Sequence, residues 1–331
     1  MTKPRSSIVS LEATPYYHVM TRCVRRAYLC GIDTITGKNF SHRRDVCEAR
    51  LTFLQSIFAV DIAAYAIMSN HYHLVVYIDE QSAMSWDKDA VIERWCQLFS
   101  GPEHIQRYRK GEQLTAVEQK AVDTSVDEWR IRLKSLSWFV RCLNEYMARF
   151  ANQEDKCTGR FWEGRFKSQA LLDEQAILSC MAYVDLNPIR AQTAKTPEQS
   201  AYTSIKKRIE RARASTQPSD ETKQPDDLMP FVGSENVNGP KGIHFDLAEY
   251  LNLVDWSGRQ INTSKRGVID NKLPPILERL GIRAENWIIL TQHFESRFKV
   301  FVGVKSTLEK IKKVVKALRV PGMGFSKSVF C

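Results

Sequence analysis

The sequence lacks any run of about 18 apolar residues, the length that a helix needs to cross a lipid bilayer. Its first residues, Met-Thr-Lys-Pro-Arg-Ser-Ser-Ile-Val, also lack the long apolar stretch of a secretory signal peptide. These absences argue against a membrane-spanning or secreted protein. We therefore expect a soluble chain that stays in the cytoplasm.

Closely spaced cysteine pairs are missing too. Eight cysteines are scattered along the chain without a Cys-x-x-Cys pair, which argues against a zinc ribbon and against a disulfide framework. We expect all of them to be reduced thiols.

Charge is unbalanced in favour of basic residues. The chain has 48 Lys and Arg against 38 Asp and Glu, a formal charge of +10. Such an excess suits a phosphate-rich partner, although a solvated basic surface gives the same composition. With 331 residues, 43% of them hydrophobic, the chain is long enough for two domains or for one domain with a substantial extension.

The most informative local pattern is His71-Tyr72-His73, inside an apolar run at 62–78 that predicts two short strands. Alternate side chains of a strand lie on one face, so both imidazoles can reach one metal ion. Taken alone, the pair is equally well explained as two partly exposed histidines on a sheet surface.

A second segment, at 176–188, predicts a helix that ends near Asn187, because residues before a proline avoid helical backbone. Tyr183 and Asn187 are then four residues apart and share one face. This places a phenol that can act as a nucleophile beside an amide oxygen that can complete a metal shell. The alternative is a tyrosine in the core and an asparagine that caps the helix.

The predicted elements follow one another in a recognisable order. They are a strand at 16–23, a helix at 43–58, two strands around His71, a helix at 136–151, a strand at 160–170 and the helix that carries Tyr183. This strand-helix-strand-strand-helix-strand order is the ferredoxin-like (RRM-like) layout, an α+β fold with helices packed on an antiparallel sheet.

Composition also predicts the domain organisation. We expect one domain at 1–213, with an insertion at about 81–134 to which we assign no chemistry. Four prolines among polar residues mark a linker at 214–240. Residues 241–331 predict a small, mainly helical accessory domain. Its last helix is basic and amphipathic, so DNA contact and a solvated face both stay open.

Five motifs are spread over roughly residues 8 to 205. They are Tyr16-Tyr17-His18-Val19-Met20-Thr21-Arg22, Met68-Ser69-Asn70-His71-Tyr72-His73-Leu74-Val75-Val76, Leu143-Asn144-Glu145-Tyr146, Gly159-Arg160-Phe161-Trp162-Glu163-Gly164-Arg165-Phe166-Lys167-Ser168 and Tyr183-Val184-Asp185-Leu186-Asn187-Pro188-Ile189-Arg190-Ala191. In content and in order these motifs resemble the single-tyrosine HUH transposases of the insertion-sequence-200-like group. The resemblance is strongest to the REP-associated tyrosine transposase branch.

The resemblance implies metal-dependent cleavage and strand transfer of single-stranded DNA. Tyr183 is the implied nucleophile, forming a 5′-phosphotyrosine and releasing a 3′-hydroxyl, and a second 3′-hydroxyl then rejoins the strands. His71, His73 and Asn187 are the implied ligands of a divalent metal, Mg²⁺ or Mn²⁺. The implied substrate is a folded single strand, such as a hairpin or an imperfect palindrome, and a homodimer is possible.

Six basic residues are the expected contacts with the DNA backbone: Arg22, Arg25, Arg26, Arg160, Arg165 and Lys167. Phe161, Trp162 and Phe166 lie among them, and aromatic rings at such positions can stack on bases. The alternative is that some of these rings belong to the core, and we expect Trp162 to be buried.

Three functions stay open from the sequence. The leading one is a transposase or a domesticated relative that acts on repeated palindromes. The second is a catalytically idle protein that binds hairpin DNA. The third is a relaxase or replication initiator with the same HUH chemistry, which usually places its tyrosine and histidines in a different order.

Overall fold

A computed structural model of the protein describes residues 11–24, 29–33, 37–214, 224–233, 241–262, 274–315 and 320–330. The strands in these residues are β1 Tyr16–Arg22, β2 Val60–Ile67, β3 His71–Ile78, β4 Lys167–Leu171 and β5 Phe301–Val302. The α-helices are α1 His42–Ile57, α2 Glu80–Ser85, α3 Lys88–Cys96, α4 Glu103–Arg109, α5 Ala116–Leu133, α6 Leu136–Glu154, α7 Glu174–Asp185, α8 Asn187–Arg190, α9 Ser204–Ala214, α10 Leu247–Asn262, α11 Pro275–Arg279, α12 Ala284–Arg297, α13 Lys305–Val314 and α14 Met323–Val329.

The strands form one five-stranded sheet in the order β2-β3-β1-β4-β5. β1 pairs antiparallel with both β3 and β4, and Arg22 lies opposite His71 in the first of these pairings. The order β2-β3-β1-β4, with α1 after β1 and α6 before β4 along the chain, is that of the ferredoxin-like layout. The predicted α+β class is therefore confirmed, and β5 adds a strand parallel to β4.

The predicted strand at 160–170 is wrong in its first half. β4 begins only at Lys167, and the preceding segment makes a single bridge between Cys23 and Trp162. Phe161 and Trp162 are consecutive and both buried. Such a pair breaks the alternation of exposed and buried side chains that a strand requires.

The described residues divide into two compact units that differ from the predicted domains. The first contains those within 1–45, 62–77 and 159–331, and the second those of 46–61 and 78–158. The region 241–331 therefore belongs to the same unit as β1 and β4, because its apolar side chains share one core with those of α7. The described part of the predicted linker, 224–233, also places buried side chains in this unit.

The second unit contains α2 to α6 and most of α1, and it includes the predicted insertion. A capping box of Thr115 and Glu118 begins α5. Stacked indole rings of Trp95 and Trp129, with centroids 5.3 Å apart, lie in its interior. These features account for its packing, and we assign it no chemistry.

α7 carries Tyr183 and begins at a side-chain cap. A carboxylate oxygen of Asp173 accepts a hydrogen bond from the backbone nitrogen of Ala176 at 3.0 Å. The helix ends at Asp185, two residues before the predicted end. α8 then begins at Asn187 with Pro188 in its first turn, where a missing backbone N–H costs little. No helix in the described ranges is both long and apolar enough to span a membrane.

Candidate functional site

The two histidines of the motif lie together on β3. The ring centroids of His71 and His73 are 5.0 Å apart and the rings are nearly perpendicular. His73 is almost completely buried, with 1% of its surface exposed, whereas His71 is more accessible. Tyr72 between them is buried on the opposite face, where its ring packs against Trp162.

Tyr183 contacts His73 within the same chain. Its ring lies perpendicular to that of His73, with the centroids 5.7 Å apart. The residues are 110 positions apart in the sequence, so the convergence of strand and helix is a tertiary feature. The phenol is only 6% exposed.

Asn187 follows Tyr183 by one turn, at the start of α8. It is buried, with 7% of its surface exposed, and its backbone carbonyl accepts a hydrogen bond from the nitrogen of Ala191 at 2.9 Å. The role of Asn187 as a metal ligand stays a prediction.

A chain of hydrogen bonds leads to His73 from β1, β4 and the segment after α12. Nε2 of His18 lies 2.9 Å from Nδ1 of His73, and Nδ1 of His18 lies 2.6 Å from Oε1 of Gln169. Nε2 of Gln169 donates to the backbone carbonyl of Phe298 at 2.8 Å. The side chains of His18, His73 and Gln169 are all buried.

The histidines are neutral at neutral pH. Burial is the main cause that lowers the pKa of His18 and holds the pKa of His73 well below its usual value. Burial and then the charge of Arg22 lower the pKa of His71 to about 4. Neutral imidazole is the form that binds metal ions.

The imidazoles of His71 and His73 offer nitrogen atoms of the kind that divalent cations bind. Nδ1 of His71 is paired with Oδ1 of Asn70 at 2.6 Å, so Nε2 of His71 keeps its lone pair. Among the described residues, no three His, Cys, Asp or Glu side chains form a group that could hold a metal. A metal ion held by His71 and His73 would therefore take its third ligand from another type of residue, and Asn187 stays the predicted one.

Two charged residues flank the phenol of Tyr183. Cζ of Arg190 lies 3.8 Å from the ring centroid, and the Tyr183 hydroxyl lies 3.4 Å from Oε2 of Glu295. Burial raises the pKa of Tyr183, the charge of Arg190 opposes this rise, and that of Glu295 adds to it. Phe294 covers the ring, at a centroid distance of 5.5 Å.

Four of the six predicted DNA contacts lie in the described residues, and all four are exposed. Arg22, Arg160, Arg165 and Lys167 are exposed, whereas Arg25 and Arg26 lie outside the described residues. The aromatic rings of Phe161, Trp162 and Phe166 are all buried, as expected for Trp162, so none offers an open face for a base. Lys167 also lies at a cavity of about 220 Å³ beside His18.

Four residues of this site were not predicted from the sequence. His18 and Arg190 lie inside two of the motifs quoted above, and this membership was the available signal. Gln169 and Glu295 carry no sequence signal of this kind, because only the folded chain brings them to the site.

Comparisons with known proteins give one structural match. No protein-family model and no curated protein matches the chain. Among solved structures, the chain is similar to a REP-associated tyrosine transposase bound to a REP hairpin, with 10% identity, 68% of this chain and 98% of that chain covered, and a TM-score of 0.33. A TM-score of this size does not establish a shared fold, so the ferredoxin-like assignment depends on the strand order itself.

Proposed function

We propose that this protein is a transposase that cleaves and rejoins single-stranded hairpin DNA through a 5′-phosphotyrosine on Tyr183. The supporting observation is the contact of Tyr183 with His73, at a centroid distance of 5.7 Å, between two motifs that are remote in sequence. A nucleophile next to a potential cation site is the arrangement that such a transfer requires.

Each residue has a part in the proposed reaction. His71, His73 and Asn187 would hold the divalent ion, Mg²⁺ or Mn²⁺. When bound, the ion offsets charge on the nonbridging oxygens of the scissile phosphate. Arg190 stabilises the phenolate of Tyr183, because its guanidinium lies 3.8 Å from the ring centroid.

The proposed cleavage balances in atoms and charge. The Tyr183 oxygen forms a bond to phosphorus, and the bond from phosphorus to the 3′-oxygen of the upstream nucleotide breaks. Glu295 accepts the phenolic proton, since its carboxylate lies 3.4 Å from the hydroxyl. The leaving 3′-oxygen takes a proton from water. The reverse attack by another 3′-hydroxyl needs no external energy, because the phosphotyrosine keeps the phosphodiester bond energy.

The proposed substrate agrees with the surface charge. Arg22 lies opposite His71 and Lys167 lies next to Glu295. Arg160 and Arg165 are also exposed, and the chain as a whole carries +10. Phosphate neutralisation by such side chains supplies most of the affinity of proteins for DNA backbone.

A labelled-hairpin assay tests the proposal. A pool of hairpins with randomised stems is labelled at the 3′ end and incubated with the protein and Mn²⁺. Because Tyr183 retains the 5′-phosphate of the downstream fragment, the label should stay on the protein through denaturing electrophoresis. A 5′-end label on the same DNA should be released.

Tyrosine variants identify the nucleophile. Tyr183→Phe should abolish the adduct, and Tyr146→Phe, which removes the hydroxyl of a partly exposed tyrosine on α6, should retain it. An adduct that persists in Tyr183→Phe would contradict the proposal.

The burial of the nucleophile favours one alternative, a catalytically idle protein that binds hairpin DNA. Tyr183 is 6% exposed beneath Phe294, which restricts the approach of a phosphate. This alternative predicts that wild type and Tyr183→Phe bind hairpins with equal affinity and that neither forms an adduct with any member of the pool.

A further inference from the structure

The hydrogen-bond chain that ends at His73 begins at a backbone carbonyl, which is a fixed acceptor. The carbonyl of Phe298 can only accept, so the group of Gln169 that lies 2.8 Å from it is the amide N–H. The other end of the amide is then the oxygen, Oε1, which lies 2.6 Å from Nδ1 of His18. The orientation of the amide is therefore determined by the backbone.

An amide oxygen can only accept, so Nδ1 of His18 carries the proton of that imidazole. In a neutral imidazole the second nitrogen is then an acceptor. Nε2 of His18 lies 2.9 Å from Nδ1 of His73, which must therefore be the protonated nitrogen of His73. The remaining nitrogen, Nε2 of His73, is left with its lone pair.

The opposite arrangement is unfavourable. If Nε2 of His18 donated to His73, both nitrogens of His18 would carry protons and the ring would be a cation. His18 is 2% exposed, and a cation buried to that extent loses most of its hydration.

We propose that Gln169 and His18 are positioning residues that hold His73 as its Nδ1–H tautomer and so keep Nε2 of His73 available to a metal ion. The ligand role of His73 rests on the function proposed above, whereas the tautomer is a property of the metal-free chain. Outer hydrogen bonds of this kind fix the tautomer and the ring orientation of histidine ligands.

The residue after α12 thereby contributes to the site. Phe298 follows α12 directly, and its carbonyl is the fixed end of the chain. A segment outside the recognised motifs thereby determines which nitrogen of a motif histidine is free.

The test reads the tautomer directly in the full chain. Protein labelled with ¹⁵N-histidine and stripped of metal is studied by long-range ¹H–¹⁵N correlation spectroscopy at neutral pH, with His73 assigned by His73→Gln. We expect one tautomer of His73, protonated at Nδ1. In Gln169→Met the fixed acceptor is lost, and the His73 signals should report a mixture of both tautomers.

A matched variant separates this effect from general destabilisation. Gln224 is also buried, and its amide also bonds the backbone, donating to the carbonyl of Phe231 and accepting from its nitrogen at 2.8 Å each. Gln224→Met should lower the melting temperature as Gln169→Met does, but it should leave the His73 tautomer unchanged. Titration with Mn²⁺ should show affinity reduced by about 10-fold to 100-fold in Gln169→Met alone.

The outcomes distinguish the two proposals. A wild-type His73 protonated at Nε2, or a tautomer unaffected by Gln169→Met, would overturn the inference even if wild type binds Mn²⁺ normally. Mn²⁺ binding that is absent in wild type, with the tautomer as expected, would overturn the proposed metal site and with it the positioning role.

Discussion

The hydroxyl of Tyr183 lies 3.4 Å from Oε2 of Glu295, although the two residues are 112 positions apart. Glu295 lies on α12, outside every motif that carries the resemblance to HUH transposases. The carboxylate has a second neighbour, Nζ of Lys167 at 3.6 Å, which is one of the predicted DNA contacts. One acidic side chain thus links the proposed nucleophile to the proposed DNA surface.

Replacement of Glu295 by glutamine should slow adduct formation by about 100-fold, because the amide can accept a hydrogen bond but cannot accept the phenolic proton. Hairpin binding should not weaken, since a negative charge beside the DNA is removed. Single-turnover appearance of the labelled adduct measures the rate. Glu309→Gln removes a carboxylate that pairs with Lys305 on α13, and it should leave the rate unchanged. Equal rates in wild type and Glu295→Gln would exclude Glu295 as the proton acceptor.

Arg190 should determine the pH at which the nucleophile becomes reactive. Its guanidinium lies 3.8 Å from the Tyr183 ring centroid, and one of its nitrogens donates to the Tyr183 carbonyl at 3.1 Å. Loss of a desolvated cation from an aromatic face costs about 2 kcal/mol, which corresponds to a rate about 30-fold lower. We expect Arg190→Met to show this loss and to shift the alkaline rise of the adduct rate to higher pH, because the charge of Arg190 lowers the pKa of Tyr183.

Arg279→Met is the matched control for this change. It removes a guanidinium 5.6 Å from the Phe245 ring centroid in the same compact unit, and it should leave the pH profile of the adduct rate unchanged. An unshifted profile in Arg190→Met would show that the cation does not act on the phenol.

The fold was predictable where the pattern of apolar residues is local. The apolar run at 62–78 and the helix predicted at 43–58 correspond to two strands and a helix that the structure contains. β5 was not predictable, because two residues, Phe301 and Val302, become a strand only by pairing with β4. The shared core of α7 and the region 241–331 was missed for the same reason, since a proline-rich segment marks a break in the chain but does not prevent packing across it.

The candidate site also contains residues that the sequence predicts and residues that only the folded chain brings together. His71, His73 and Tyr183 were predicted from short motifs, and the structure brings their side chains together. Gln169 and Glu295 were not predicted, because a single glutamine or glutamate in a strand or helix has no distinctive spacing. Their proximity to the site depends on strand pairing and on the contact of α12 with α7.

The exposed basic residues should control the salt dependence of DNA binding. Each phosphate contact contributes about 0.7 on a single strand and about 0.9 on a duplex stem to the slope of log affinity against log salt concentration. Arg165→Gln should therefore reduce the slope by about 0.7 to 0.9, measured by fluorescence anisotropy with a labelled hairpin. Arg149→Gln should leave the slope unchanged, because Arg149 is exposed on α6 and pairs with Glu145. An unchanged slope in Arg165→Gln would remove Arg165 from the predicted DNA contacts.

Asp185 should make stability fall as pH rises. Its carboxylate is buried and accepts hydrogen bonds from Ser204 and Ile205 at one oxygen and from Tyr250 at the other. Burial is the main cause that raises its pKa to about 6, and these hydrogen bonds only partly oppose it. The folded state therefore holds a proton that the unfolded state releases near pH 4.

Because the folded chain binds more protons over this interval, the free energy of unfolding decreases as pH rises through about 6. Asp185→Asn cannot titrate. The stability of wild type relative to Asp185→Asn should thus be greatest near pH 4 and should fall by roughly 3 kcal/mol by pH 7. Urea unfolding of both proteins across this range measures the difference, and a pH-independent difference would contradict the assignment.

Gly303 lies close to Asp173 at the start of α7, and its replacement should destabilise the fold. A Cβ atom at this position would lie 2.6 Å from Oδ2 of Asp173 and 3.2 Å from Cβ of Leu172. Asp173 cannot easily move, because Oδ2 accepts from the nitrogen of Val304 and Oδ1 caps the helix at Ala176. Overpacking of this kind costs about 1–3 kcal/mol, so Gly303→Ala should lower the free energy of unfolding by that amount.

Gly324→Ala provides the comparison within the same region. A Cβ at Gly324 meets no atom within 4 Å, and the residue lies in α14, where alanine is favoured over glycine by up to about 1 kcal/mol. Urea unfolding should therefore show a loss of stability in Gly303→Ala and none in Gly324→Ala. Since α7 carries Tyr183, we also expect slower adduct formation in Gly303→Ala only. Equal stability of the two variants would mean that Asp173 moves aside and does not hold α7 against the segment that follows β5.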